Sequence, residues 1–268
     1  MPKPTDQAQP LTSAEVSRIA LQAISLLAPD LQGGLARRKH LDVYVNQLLA
    51  AALSTVSDGM LDVLRDMRKA QIDDAEIAEI YIPAVARALG ADWCDDLLDF
   101  GSVTIGTARL QGLLRRIELD FEVANPGVLT SQPGYLIGVP EGTQHTLGVT
   151  IVAGHLRRRH AAVRVELDLT PEKVTQAFAQ TTYAGVFLSG SGRKCLEPLR
   201  DLVDSAKRAS RSTPVIIGGG ILEQVTDIQS FTGADLVSSG LGGAVEFCEQ
   251  RLKERKQAGD LMTAGVVS

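Results

Sequence analysis

Residues Pro140 to Leu156 read PEGTQHTLGVTIVAGHL, and they put a histidine, His145, in a loop flanked by glycines. A strand-like run, YLIGVP, ends just before the loop, and helical periodicity begins inside it. A loop imidazole most often serves as a surface group or a local hydrogen-bonding group. Three features set this one apart. It stands at the end of a strand, where open α/β sheets bind their ligands. Gly148 follows three residues later, so a bulky planar group can approach the backbone. The later strand-end loops offer no other obvious catalytic side chain. They read SGSGRK from Ser189, GGGILE from Gly218 and SSGLGG from Ser238, an edge of glycine and serine with accessible backbone.

The elements that must position these loops follow from the hydrophobic pattern. From Tyr135 onward, short β-branched runs alternate with helical segments: YLIGVP, AVRVELDL, AGVFLSG, PVIIGGG and ADLVSSG. Runs of this kind, bounded by glycine or proline, suit strands buried on both faces. They predict five βα units in a doubly wound parallel sheet of flavodoxin-like order 2-1-3-4-5. The first half of the chain is all-α. TSAEVSRIALQAISLLAPD opens with a cap at Ser13 and carries apolar residues at helical spacing. The run from His40 to Gln71 reads as one long helix, or two broken at Asp58-Gly59. A further helix runs through Leu89 with a kink at Pro83, and another covers SVTIGTARLQGLLRRIELDFE. VANPGVLTSQPG reads as a linker, and residues 1 to 11, with three prolines, as a disordered lead-in. The expected division is a helical domain over 12–125 and a Rossmann-like domain over 134–256.

Composition removes several function classes. The 268 residues are 44 % hydrophobic and 22 % charged, with a net charge of −5. That balance argues against a chain whose main task is gripping phosphates of nucleic acid. No signal-like start or bilayer-length apolar run is present, so a cytoplasmic protein without a membrane anchor is expected. Cys94, Cys195 and Cys248 are scattered without a CxxC, as expected of reduced thiols rather than a structural zinc site. There is no GxxxxGK[ST] loop, and no GxGxxG follows the first strand. Asp168 ends the second strand without an acidic cluster beside it.

Taken together, T-x-H-x-x-G at Thr143 to Gly148, SGS at Ser189 to Ser191 and GGG at Gly218, Gly219 and Gly220 resemble the cobalamin-binding pattern D-x-H-x-x-G, S-x-L, G-G. The separations fit as well, 44 residues from His145 to Ser189 and 29 from Ser189 to Gly218. The resemblance implies that His145 ligates cobalt in place of the cofactor's own base. It implies that the freed nucleotide tail lies along Ser189, Ser191 and Gly218 to Gly220. It extends to the helical half, which in such proteins caps the other face of the corrin, and so covers roughly residues 13 to 256. Trp93 resembles the tryptophan that covers that face in light-sensing relatives. Val103 and Thr104 stand where those relatives carry Glu-His, so the upper face here is less polar. Two further departures are Thr143 in place of the aspartate that orients the histidine, and Ser191 in place of leucine.

ADW…VTIGTARLQ followed by GTQHTLG looks most like the AerR/PpaA antirepressors of photosynthetic bacteria. The resemblance implies a non-enzymatic, light-responsive transcriptional regulator holding adenosylcobalamin or hydroxocobalamin. It would act on a PpsR/CrtJ-type repressor, with weak DNA contact as a possible supplement. Trp93 and the helix from Val103 to Arg109 would cover the upper side. Two alternatives share the fold: a haem-binding redox sensor and a corrinoid carrier for methyl transfer. Thr143 weighs against the carrier, because a hydroxyl supplies no carboxylate charge behind the imidazole. The basic strings ARRKH (36 to 40) and LRRRH (156 to 160) are expected to be solvated helix faces, and His155 and His160 to be surface residues.

Overall fold

In a computed structural model, the described residues are 34–55, 58–124, 134–143 and 145–264. The expected first helix at 12–30 and most of the linker lie outside them. The helical half consists of α1 (Gly34–Leu53), α2 (Gly59–Lys69), α3 (Asp74–Glu76), α4 (Ile82–Cys94) and α5 (Phe100–Ala124). Two helices, not one, fill the run after His40. In α2 the apolar residues Met60, Leu64 and Met67 recur on one face, and all three are buried. Asp73 opens the next helix by accepting the Glu76 N–H at 2.6 Å.

A π-helical turn, Ile77–Tyr81, joins α3 to α4. Its cause is Pro83, which lacks an N–H and whose ring would clash with the carbonyl four residues back in a regular helix. The chain absorbs the proline by widening the turn before it. The helix then continues past Leu89 to Cys94, further than the sequence pattern suggests. It ends with Asp96 in the left-handed region at φ 56° and with the Leu97 N–H returning to the Asp92 carbonyl at 2.8 Å. Asp99 caps α5 through the Ser102 N–H at 2.8 Å. Helices α4 and α5 cross closely at Gly106, where an added Cβ would lie 3.0 Å from Leu89.

The sheet has strands β1 (Gly134–Pro140), β2 (Val163–Leu169), β3 (Tyr183–Ser189), β4 (Val215–Gly218) and β5 (Leu236–Val237). Their order is β2-β1-β3-β4-β5, and every pairing is parallel, as the pattern predicts. Side chains alternate between two cores. Leu136, Val186, Leu188 and Ile217 face α7 (Pro171–Gln180) and α8 (Leu196–Ala209). Ile137, Val139, Phe187 and Ile216 face α6 (Leu147–Arg158) and α10 (Leu241–Ala264). A short α9 (Ile228–Thr232) precedes β5.

Helix α6 serves both halves. One face packs Val149, Ala153 and Leu156 on the sheet. Another sends Ile151 and Leu147 into the helical core beside Tyr81, Leu89, Leu110 and Leu114. At its carboxyl end the basic string is only partly a solvated face: Arg159 and His160 are exposed, whereas Arg158 is turned inward. Arg158 reaches Glu79, Arg157 reaches Glu118 at 3.3 Å and Arg159 reaches Glu249 at 3.0 Å. His155 is likewise no surface residue: its side chain is 15 % exposed and its Nδ1 lies 2.9 Å from Glu79. The expectation fails because the partners are acids of the helical half and of α10, far away in sequence. The side chains of residues 36 to 40 lie outside the described part. Among the described residues no helix is long and apolar enough to cross a membrane.

Candidate functional site

The loop after β1 is moored at both ends. A turn at Glu141-Gly142 closes with the Thr143 N–H on the Pro140 carbonyl at 3.1 Å. The Gly142 N–H donates to the Asp168 carboxylate at 3.2 Å, so the residue ending β2 holds the loop of β1. On the other side Thr146 precedes α6, and its hydroxyl accepts the Gln111 side-chain N–H of α5 at 3.1 Å. His145 stands between these moorings with its side chain exposed. Neither Asp168 nor Gln111 was assigned to the site by spacing. Asp168 could have been found from its place at a strand end, whereas Gln111 carries no sequence signal.

The other loops converge on the same edge. Gly148 lies beside Ser189, with an added Cβ 3.7 Å from the serine hydroxyl. Ser189 ends β3 in register with Gly218 of β4, and the Gly190 N–H donates to the Gly218 carbonyl at 3.0 Å. Gly219 adopts φ 95°, a conformation side chains rarely accept. A Cβ there would stand 2.5 Å from the Gly190 carbonyl and 2.6 Å from the Ser189 hydroxyl. Gly220 stands against Ser191 in the same way, at 3.3 Å from its carbonyl. Gly148, Ser189, Ser191 and Gly218 to Gly220 thus form one glycine-lined cradle.

Thr143 has a partner the motif does not suggest. Its hydroxyl faces the Cys195 thiol, which also lies 3.6 Å from the Ser191 hydroxyl. Burial raises the pKa of Cys195, but hydrogen bonds from Ser191, Gly192 and Thr143 outweigh it and hold the thiol below its ordinary value.

Trp93, Val103 and Thr104 belong to the corner between α4 and α5. Trp93 is 51 % exposed, and Leu97 and Phe100 beside it in sequence are 71 % and 72 % exposed. Thr104 is exposed, and its hydroxyl returns to the Phe100 carbonyl at 2.7 Å. Helix α5 reaches the sheet edge at Gln111, two turns beyond Thr104. The Arg109 guanidinium donates to the carbonyls of Ala52, at 2.7 Å, and Ser54, tying α5 to the end of α1. A helix end leaves carbonyls unpaired, and the arginine satisfies them.

A family model described as the B12 binding domain matches residues 134–246, the whole of this edge and its sheet. The "Uncharacterized 20.5 kDa protein in bchF-crtJ intergenic region" of Rhodobacter capsulatus is 34 % identical over 183 residues, which are 68 % of this chain and 95 % of the relative. The monomethylamine corrinoid protein of Methanosarcina barkeri aligns with a TM-score of 0.61 at 16 % identity, over 78 % of this chain and 97 % of its own. At that identity the likeness is one of fold. With the B12-binding match covering the cradle and the Rhodobacter relative matched nearly end to end, the chain belongs to the AerR/PpaA-type family, which joins a helical segment to a B12-binding domain.

Proposed function

We propose that the chain binds cobalamin through His145 and works as a light-responsive, non-catalytic regulator of photosynthesis genes, acting on a PpsR/CrtJ-type repressor. The observation that carries the reading is that the exposed His145 loop, Gly148 beside Ser189, and the Gly218 to Gly220 turn packed on Gly190 all lie on one edge of the sheet. Among the described residues no group of three or more His, Cys, Asp or Glu side chains is placed to hold a metal ion. His145 would be the residue that holds the metal of a cofactor bringing its own ring of ligands. When bound, cobalamin would supply a light-sensitive bond at its cobalt.

The chain's own residues do the rest. Asp168 and Gln111 fix the two ends of the histidine loop, so the imidazole is presented from a defined position. Ser189 and Ser191 offer hydroxyls to a polar tail, Gly148 leaves the backbone beside Ser189 bare, and Gly219 and Gly220 let their turn pack closely on Gly190 and Ser191. Trp93 provides an apolar surface from the helical half, and Val103 and Thr104 put neither a glutamate nor a histidine at those two positions. The helical half is the element that passes the signal on, because it shares one core with α6, the helix that begins at the ligand loop. The relative's place between bchF and crtJ supports a CrtJ-type repressor as the partner. DNA contact by the 156 to 160 string is not supported, since its three arginines are each paired with a glutamate. Thr143 turned toward Cys195 leaves the imidazole without a carboxylate behind it, which favours a regulator over a methyl carrier.

The test is the absorption spectrum of the wild type and His145→Ala after incubation with hydroxocobalamin, in the dark and after illumination. The wild type is expected to give a histidine-ligated, base-off corrin spectrum, and the variant to lose it with at least tenfold weaker binding. Equal spectra in the two proteins would remove His145 from the site. A Soret band in protein grown with haem, with no corrin bands in protein grown with cobalamin, would favour the haem sensor. Co-elution with the repressor that changes with light tests the output.

A further inference from the structure

The opposite edge of the sheet, where the strands begin, holds a cavity of about 360 Å3 between the carboxyl end of α6 and the middle of α10. Its volume lies at the lower end of the range for pockets that take small molecules. The floor is apolar, built from Leu156 of α6 and Val245 and Leu252 of α10. The rim is basic: Arg159, His160, Lys253 and Lys256, with Glu249 as the one acid. Glu249 is already committed to Arg159 at 3.0 Å. Among the described residues Lys253 and Lys256 have no carboxylate within ion-pair distance. The cavity thus carries two positive charges in excess, in a chain whose net charge is −5.

His160 gives the second observation. It is the residue that turns the chain out of α6, at φ 59°, with the Ala161 N–H returning to the Leu156 carbonyl at 3.0 Å. Glycine is the usual residue at such a position because it accepts the left-handed conformation without strain. A histidine there puts an imidazole on the rim of the cavity, and its ring lies 6.1 Å from that of Phe121 in α5. The rim therefore touches the helical half directly.

We infer that this cavity is an effector site for a small amphiphilic carboxylate, with its apolar body on Leu156, Val245 and Leu252 and its head group between Lys253, Lys256 and Arg159. A carboxylate head matches the site because Arg159 already holds one, that of Glu249, and an incoming head adds the charge that the two lysines lack. The site is separate from the cradle at the other edge and does not depend on cobalamin. It lies at the far end of the helix that begins at His145, so occupancy and the ligand loop share α6.

Calorimetric titration of the full chain with decanoate, kept below its micelle threshold, tests the assignment. Saturable uptake of one decanoate per chain is expected, with no uptake of decyltrimethylammonium and at least tenfold weaker uptake of inorganic phosphate. The double variant Lys253→Glu/Lys256→Glu, both exposed and outside either core, should weaken decanoate at least tenfold while unfolding at the same temperature. His160→Gly suits the backbone and so keeps the fold, and should weaken decanoate severalfold. Absence of saturable uptake, equal uptake of the cationic amphiphile or of phosphate, or decanoate binding untouched by charge reversal would each overturn the inference.

Discussion

The two ends of α6 are built on opposite principles. At its amino end the loop carries an exposed imidazole, and the side chains that moor it are the Asp168 carboxylate, which accepts from Gly142, and Gln111, which donates to Thr146. At its carboxyl end five charged or titratable side chains, Glu79, Glu118, His155, Arg157 and Arg158, crowd the seam with the helical half. Gly154 lies close against this group, since an added Cβ would stand 2.6 Å from the Glu118 carboxylate and displace it. Several polar atoms of the seam, including Glu118 Oε1, His155 Nε2 and Arg158 Nε, are buried without a hydrogen-bond partner. Buried charges of this kind add little net stability, but breaking one pair is costly, so they fix one arrangement against others. The helix is thus clamped where it meets the helical half and left accessible at the His145 loop.

The comparison breaks most readily at Glu79. It accepts from both His155 and Arg158, and Glu79→Gln would leave the part-buried Arg158 guanidinium without its carboxylate and weaken the contact to His155 Nδ1. A loss of about 3 kcal/mol at pH 7 is expected in denaturant unfolding. Burial raises the Glu79 pKa, but the bonds to His155 and Arg158 outweigh it and hold it below 4.5. A lowered folded value means that the contribution is present above the unfolded value and lost as pH falls through the folded one. The difference between wild type and variant should therefore shrink below about pH 4.5, and a constant difference down to pH 3 would contradict the assignment.

At the other end the largest effect belongs to Gly219. Gly219→Ala introduces a Cβ against the Gly190 carbonyl and the Ser189 hydroxyl in a left-handed backbone. A cost of about 2 kcal/mol in stability is expected, together with a fall in cobalamin affinity of tenfold or more. Unaltered affinity would mean that the cradle is not where the tail lies.

Glu118 sharpens the comparison within the seam. Burial pushes its pKa up, more than Arg157 and Arg158 pull it down. Glu118→Gln should then change stability by less than about 1 kcal/mol at pH 7, unlike its neighbour. A raised folded value favours the protonated form, so the stability linked to it is present below pH 4.5 and lost as pH rises through the folded value. The variant should gain on the wild type over that rise. The smallest effect is expected for His145→Ala, within about 0.5 kcal/mol, because the side chain is exposed. Thermal unfolding of that variant without cobalamin checks that its spectral change comes from lost ligation and not from lost fold.

The contrast also explains what was legible in the sequence. The sheet and its order were, because runs such as VFL and VII can be buried on both faces only in a parallel sheet, and the topology then brings Ser189 beside Gly218. The cradle was legible for the same reason, since strand ends fix which loops meet. The seam was not. The partners of Arg157 and Arg158 lie 39 and 79 residues away, and a run of arginines at a helix end looks the same whether water or glutamate faces it. Trp93, a common core residue by type, is half exposed for a related reason: nothing local states which way the corner after α4 turns. The environment of Cys195 was not legible because its strongest hydrogen bonds come from Ser191 and Gly192 through the fold of their loop, which spacing alone does not state.

The widened turn at Ile77–Tyr81 fits one more residue than a regular helix would between Asp74 and Cys94. In a straight helix each residue advances the direction of its side chain by about 100°. Deleting one residue from that turn would restore regularity, yet it would swing either Glu79 away from His155 and Arg158 or Trp93 away from its present heading. This stretch should therefore tolerate substitution far better than any change in length, and a chain shortened there could keep the clamp or the tryptophan's aim, but not both.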